Sequence, residues 1–102
     1  MVKLIVLYGP PSDPEAFDKH YFDIHVPLAE KIPGVRHFSL SRPSTLDGSP
    51  SPYHLIAELT FDSAEAMGEA MGTEAGKAAA ADVATFATGG ATMLLADVVA
   101  GD

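Results

Sequence analysis

The side chains able to do chemistry crowd into one stretch, Phe17 to Gly34, where His20, Tyr21, Phe22, Asp23, His25 and Pro27 come ahead of Ile32-Pro33-Gly34. Imidazoles and aromatic rings beside an apolar seam suit a small organic ligand, which is buried on carbon and oriented by a few polar atoms. His25 is the candidate catalytic residue, because an imidazole titrates near neutrality and can take a proton and return it without a metal or cofactor. The bland alternative is a packed ring that hydrogen-bonds a backbone carbonyl. Tyr8 and Tyr21 each join a ring that stacks on an aromatic substrate to a hydroxyl that donates to a carbonyl or phenolate oxygen. Tyr21 reads first as core packing, and Tyr8, at a strand end beside Gly9-Pro10, as either pocket wall or cap.

One helix must carry most of these groups. Asp13, Pro14 and Glu15 give it a start, since an Asp side chain accepts from unpaired amides, Pro fits the first turn and Glu suits the positive helix end. The helix is predicted to run to about Lys31, before Pro33-Gly34 ends it. Phe17, Tyr21, Ile24, Leu28 and Ile32 recur at helical spacing and form one core-facing stripe. On a regular helix His25 lies about 60° from the centre of that stripe, and His20 falls on the opposite edge, facing solvent. Five residues apart, the two rings diverge by about 140° and do not share an ion. Pro27 removes a hydrogen bond and should bend the helix, freeing the Asp23 carbonyl near His25. Phe22 and Phe38 are expected in the core.

The remaining elements follow from pattern. Val2 to Tyr8 is a strand stopped by Gly9-Pro10-Pro11, and Val35 to Ser41 alternates as a second. Pro43 to Pro52, with Asp47-Gly48 among prolines and serines, reads as a surface loop. Tyr53 to Phe61 is the third strand, with Tyr53, Leu55, Ala57, Leu59 and Phe61 on one side and His54, Ile56, Glu58 and Thr60 on the other. Asp62 with Glu65 resembles a capping box and opens a helix through about Met71. The alanine-rich run from Thr73 to Phe86 is a further, weakly amphipathic helix, Gly89-Gly90 ends it, and Ala91 to Val99 is the last strand.

This order fits an α+β, ferredoxin-like βαββαβ sandwich, a four-stranded antiparallel sheet with helices on one face. The first and last strands are apolar at both parities, so the open face would leave Ile5, Leu7, Leu94 and Val98 in water; a homodimer closing two sheets together hides it. On that reading His37, His54 and Glu58 point toward the cleft between subunits, as polar pocket wall or as an interface bridge.

Composition excludes several classes. A chain of 102 residues fits one domain, 1–102. A net charge of −8, from 14 acidic against 6 basic residues, argues against nucleic acid, which needs clustered Lys and Arg. The absence of cysteine rules out disulfides, a thiolate nucleophile and Cys-ligated metals. No convergent set of His, Asp and Glu spells a metal site and no Gly-rich loop precedes a helix, so neither metal nor cofactor is expected; haem through His25 or His37 is the remote alternative. No stretch reaches the roughly 20 apolar residues a bilayer requires, and the start lacks the pattern of a secretory signal. No membrane partner is expected, and cytoplasmic localisation is the default.

The strand Val2-Lys3-Leu4-Ile5-Val6-Leu7-Tyr8, the His25-x-Pro27-Leu28 helix, Ile32-Pro33-Gly34-Val35 and the stretch from Asp82 to Gly90 together resemble the EthD family of the dimeric α+β barrel superfamily. The resemblance implies a ferredoxin-like protomer pairing sheet to sheet, with a ligand pocket between helix and sheet and a recurrent histidine at position 25. It implies no single reaction, because related barrels include cyclases, decarboxylases, isomerases, cofactor-free monooxygenases and haem proteins. The expected function is cofactor-free acid/base chemistry, of lyase or isomerase type, on an aromatic or polyketide-like ketone. His25 would be the base, Tyr8, Tyr21, His37 and His54 would contact substrate, and Tyr8 or His37 would stabilise an enolate. The rival is a non-catalytic protein that binds a hydrophobic ligand or assists a degradation pathway.

Overall fold

The computed structural model describes residues 1–101. Its elements in order are β1 (Val2–Tyr8), α1 (Pro14–His20), a π-helical turn (Tyr21–His25), α2 (Val26–Glu30), β2 (His37–Ser41), β3 (Leu55–Phe61), α3 (Ala64–Met71), α4 (Glu74–Phe86) and β4 (Ala91–Asp97). The four strands form one antiparallel sheet in the order β2-β3-β1-β4, the ferredoxin-like arrangement that the pattern predicts. The second and third strands begin two residues later than expected and the last ends two earlier.

Strand alternation divides the sheet as expected. Val2, Val6 and Tyr8 of β1 join Leu55, Ala57, Leu59 and Phe61 of β3 in a core beneath the helices. The opposite parity of the paired strands sets Ile5 beside Leu94 and Glu58, and Lys3 beside Thr60. Among the described residues no helix covers that face. At the edge of the sheet, Met93, Leu94 and Leu95 of β4 are each about half exposed, so this strand presents apolar side chains in both directions.

An aromatic knot ties the helices to the sheet. Tyr8, Phe17, Tyr21 and Phe86 come from β1, α1, the π turn and α4, and all six ring pairs lie between 5.1 and 5.7 Å apart. Such pairs contribute about 0.5–1.5 kcal/mol each beyond their buried area. Side-chain caps start the helices: Asp13 accepts from the Ala16 amide and Thr73 from the Gly76 amide. For α3 the cap is Ser63, which accepts from the Ala66 amide, and not Asp62. Asp62 is occupied instead by the Arg36 guanidinium, in two bonds of 2.7 and 2.9 Å.

Candidate functional site

Pro27 has no N–H, so the ordinary helical bond to the Asp23 carbonyl cannot form. Just ahead of it the helix widens into the π turn, where the Val26 amide donates to the Tyr21 carbonyl, five residues back. One extra residue in that turn shifts the buried face. The observed series is Phe17, Tyr21, His25, Ala29 and Ile32, so His25 (6% exposed) takes the inward place predicted for Ile24, which is 48% exposed. Phe22, expected in the core, is also 46% exposed for this reason.

The widened turn corrects the prediction that His20 faces solvent away from His25. Both rings reach one carboxylate on α4: His20 Nε2 lies 2.9 and 3.0 Å from the two Asp82 oxygens, and His25 Nδ1 lies 2.9 Å from Oδ2. Thr85 adds its hydroxyl, whose one proton is shared between the Asp82 carbonyl at 2.6 Å and Asp82 Oδ1 at 3.1 Å. Burial pushes the Asp82 carboxyl up, but the donors from His20, His25 and Thr85 outweigh it and hold it below the usual carboxylate range. An ionised carboxylate has no proton to give, so each ring must donate an N–H to it. His25 is therefore the Nδ1–H tautomer with its Nε2 lone pair free. Burial lowers the His25 pKa despite the opposing pull of Asp82, which keeps the ring neutral at neutral pH.

A cavity of about 60 Å³ lies between the helices and the sheet, lined by Tyr8, Tyr21, His25, Phe38, Met71 and Met93 among others. Tyr8 is thus pocket wall and not a cap, and Tyr21 is both core and wall. Burial pushes the Tyr8 hydroxyl up to about 12 and raises that of Tyr21 further, so both are proton donors across the physiological range. The hydroxyls are near enough to perturb one another, yet Tyr21 Oη is buried with no hydrogen-bond partner. A buried hydroxyl left without a partner costs about 1–3 kcal/mol, which a ligand oxygen would recover. Ligand pockets commonly span roughly 300–1,000 Å³, so a polyketide does not enter this cavity as it stands. The thioether side chains of Met71 and Met93 are the flexible part of its wall.

The other two candidate histidines lie elsewhere. His37 is on the open sheet face as predicted, beside Lys3, Glu58 and Thr60 in a separate hollow of about 660 Å³, and so cannot assist His25 within its own protomer. His54 does not share that face. It precedes β3, where strand alternation does not yet apply, and turns to the helix layer, with Nε2 2.8 Å from Asp18 Oδ1 and its ring edge-on to Phe17. Arg42 donates to the His54 carbonyl at 3.2 Å and closes this cluster outside the cavity. The residue that sequence reasoning missed is Asp82, whose only local signal was a single carboxylate in an alanine run with Thr85 three residues on. Among the described residues no group of three or more His, Cys, Asp and Glu is arranged to hold a metal ion, and no helix is long and apolar enough to cross a membrane.

Residues 9–90 match the family described as EthD domain. An uncharacterised 11.0 kDa protein from the thcB-thcC intergenic region of Rhodococcus erythropolis is 44% identical over 97 residues, covering 95% of this chain and 94% of that protein. The crystal structure of an EthD family protein from Bacillus halodurans superposes with a TM-score of 0.92 at 40% identity, over 97% of this chain and 99% of the other. A dimeric ferredoxin-like protein of unknown function from Thermobifida fusca gives a TM-score of 0.73 at 12% identity, over 95% of this chain and 90% of that one. At such identity the last likeness speaks to the fold alone.

Proposed function

The chain belongs to the EthD family, and we propose that it acts there as a cofactor-free acid/base catalyst on a small carbonyl compound held between helices and sheet. The observation that carries this reading is that Tyr21, whose buried hydroxyl has no hydrogen-bond partner, lines the same cavity as His25, whose Nδ1 is engaged by Asp82. A carbonyl oxygen hydrogen-bonded by Tyr21, with Tyr8 as second donor, leaves the adjacent carbon to His25. Nε2 takes a proton from that carbon, the C–H electrons move into the carbon–carbon bond, and the carbonyl π electrons move to oxygen as an enolate. In a β,γ-unsaturated ketone the imidazolium returns the proton to the γ-carbon and isomerises the substrate; in a β-hydroxy ketone it protonates the departing hydroxyl, which leaves as water. Asp82 steadies the imidazolium formed in the step and fixes the tautomer that precedes it.

The test follows proton exchange. Acetone, cyclopentanone and acetoacetate are incubated with the protein in deuterated buffer, and NMR follows loss of the protons next to the carbonyl. The wild-type protein is expected to exchange at least one of them faster than buffer, and His25→Gln to lose about 10²–10⁴-fold of that rate. Tyr21→Phe should lose about 10²-fold, as removal of one enolate donor does. Equal rates in wild type and His25→Gln overturn the proposal. A raised melting temperature without exchange assigns the non-catalytic binding role instead.

The same reading takes the protein as a single-domain homodimer. Ile5, Leu7 and Leu94 on the uncovered sheet face support it, since an apolar patch of that kind is costly to leave in water. Sedimentation equilibrium should give twice the chain mass for wild type and one chain mass for Leu94→Glu. A monomeric wild type at micromolar concentration rejects the dimer.

A further inference from the structure

We infer that His20 is a positioning residue for His25: through the carboxylate they share, the outer ring takes up the proton that would otherwise charge the inner one, so His25 stays a free base as the pH falls. The catalytic importance of this rests on the function proposed above; the charging order itself does not.

The two rings stand on either side of one carboxylate but in different surroundings. His20 borders a surface groove of about 260 Å³ that also contains Ser12, Asp13, Thr85 and Thr88. His25 borders the inner cavity, where the other titratable groups are Tyr8 and Tyr21, both neutral. Phe86, which lines the groove, packs near both imidazoles, its ring 5.2 Å from that of His20 and 4.9 Å from that of His25. The His20 side chain is 26% exposed, that of His25 only 7%. Neither space has a Lys or Arg in its lining. A first added proton is stabilised by Asp82 on either ring, so solvation decides between them, and the groove offers water and the Asp13 carboxylate where the cavity offers carbon.

Once His20 is charged, a second proton is opposed. Both ring nitrogens contact the same Asp82 oxygen, at 3.0 and 2.9 Å, and so lie less than about 6 Å apart. At that separation and an effective dielectric constant of about 20, repulsion lowers the second protonation on the order of a hundredfold. The shared carboxylate carries one negative charge and cannot fully offset two imidazolium ions. His25 thus keeps its proton-accepting nitrogen open in the pH range where an isolated imidazole would close.

Nitrogen-15 NMR of the histidine rings, followed from pH 8 to pH 4 in the ligand-free protein, reads the order directly. His20 is expected to charge first, with His25 holding its neutral Nδ1–H signature through that transition. In His20→Gln, whose amide still donates to Asp82 but cannot be charged, the His25 midpoint should rise by about one pH unit or more. His20→Phe keeps the stacking on Phe86 and should show the same rise if the glutamine variant does not fold. His25 charging first or together with His20, or an unchanged midpoint in the folded variant, overturns the inference. Because no substrate is present, such a failure is distinct from a failure of the proton-exchange assay.

Discussion

Replacing Asp82 with leucine is expected to lower the melting temperature by roughly 10–20 °C, taking about 4–8 °C per kcal/mol for a chain of this size. The carboxylate accepts from two rings and one hydroxyl at once. Leucine fills its volume and accepts nothing. The His25 Nδ1–H, on a side chain only 7% exposed, then has no acceptor, which costs about 1–3 kcal/mol, and the His20 N–H, on one 26% exposed, costs less. The sum is on the order of 2–3 kcal/mol, a large fraction of the total stability of a small protein. Asp82→Asn should recover part of it, because the amide oxygen still accepts from one ring. Thermal unfolding followed by circular dichroism checks both. A drop below about 3 °C for the leucine variant, set against that scale, would mean that water reaches both rings.

The reason Asp82 escapes a reading of the sequence is instructive for the rest of the site. Strands announce themselves by alternation and by their stops: Gly9-Pro10 after β1 and Gly89-Gly90 before β4 fall where the pattern puts them. The division of Val6 and Ala57 from Ile5 and Glu58 follows from a period of two, which the chain keeps throughout the sheet. The first helix does not keep its period. A stripe drawn at 3.6 residues per turn puts Ile24 inside and separates His20 from His25, whereas one π turn ahead of Pro27 exchanges Ile24 for His25 and swings both imidazoles to one side. Pro27 is the legible cause, but proline permits a kink, a break or a wide turn, and only packing against α4 selects among them. His54 was misplaced for a related reason, since alternation was extended one residue beyond the strand that enforces it. Asp82 lies 57 residues from His25, and a lone carboxylate in an alanine run does not say which distant side chain it will meet.

Gly76→Ala is expected to destabilise the protein by about 2 kcal/mol or more, although the same change in an open helix stabilises by roughly 0.5–1 kcal/mol. Gly76 sits in the first turn of α4, buried against the end of α3. A methyl group there would lie 2.5 Å from Met71 Cα and 2.8 Å from its carbonyl carbon, with the Ala70 carbonyl oxygen closer still. Those atoms are backbone and cannot rotate away, so α4 must lift off α3. Gly68→Ala is the matched control, because a methyl group at that position of α3 meets nothing within 4 Å. It should raise stability slightly, by up to about 1 kcal/mol, so one chemical change has opposite signs eight residues apart. Urea denaturation of the two variants reads the difference, and a neutral Gly76→Ala would mean that the α3–α4 junction yields freely. The consequence reaches the site, since α4 carries Ala79, Ala80 and Val83 of the cavity wall as well as Asp82. A helix displaced at its first turn moves the carboxylate relative to His25, so the glycine variant should also loosen the His25–Asp82 bond. The close approach of two backbones at Gly76 thus sets the distance on which the tautomer of His25 depends.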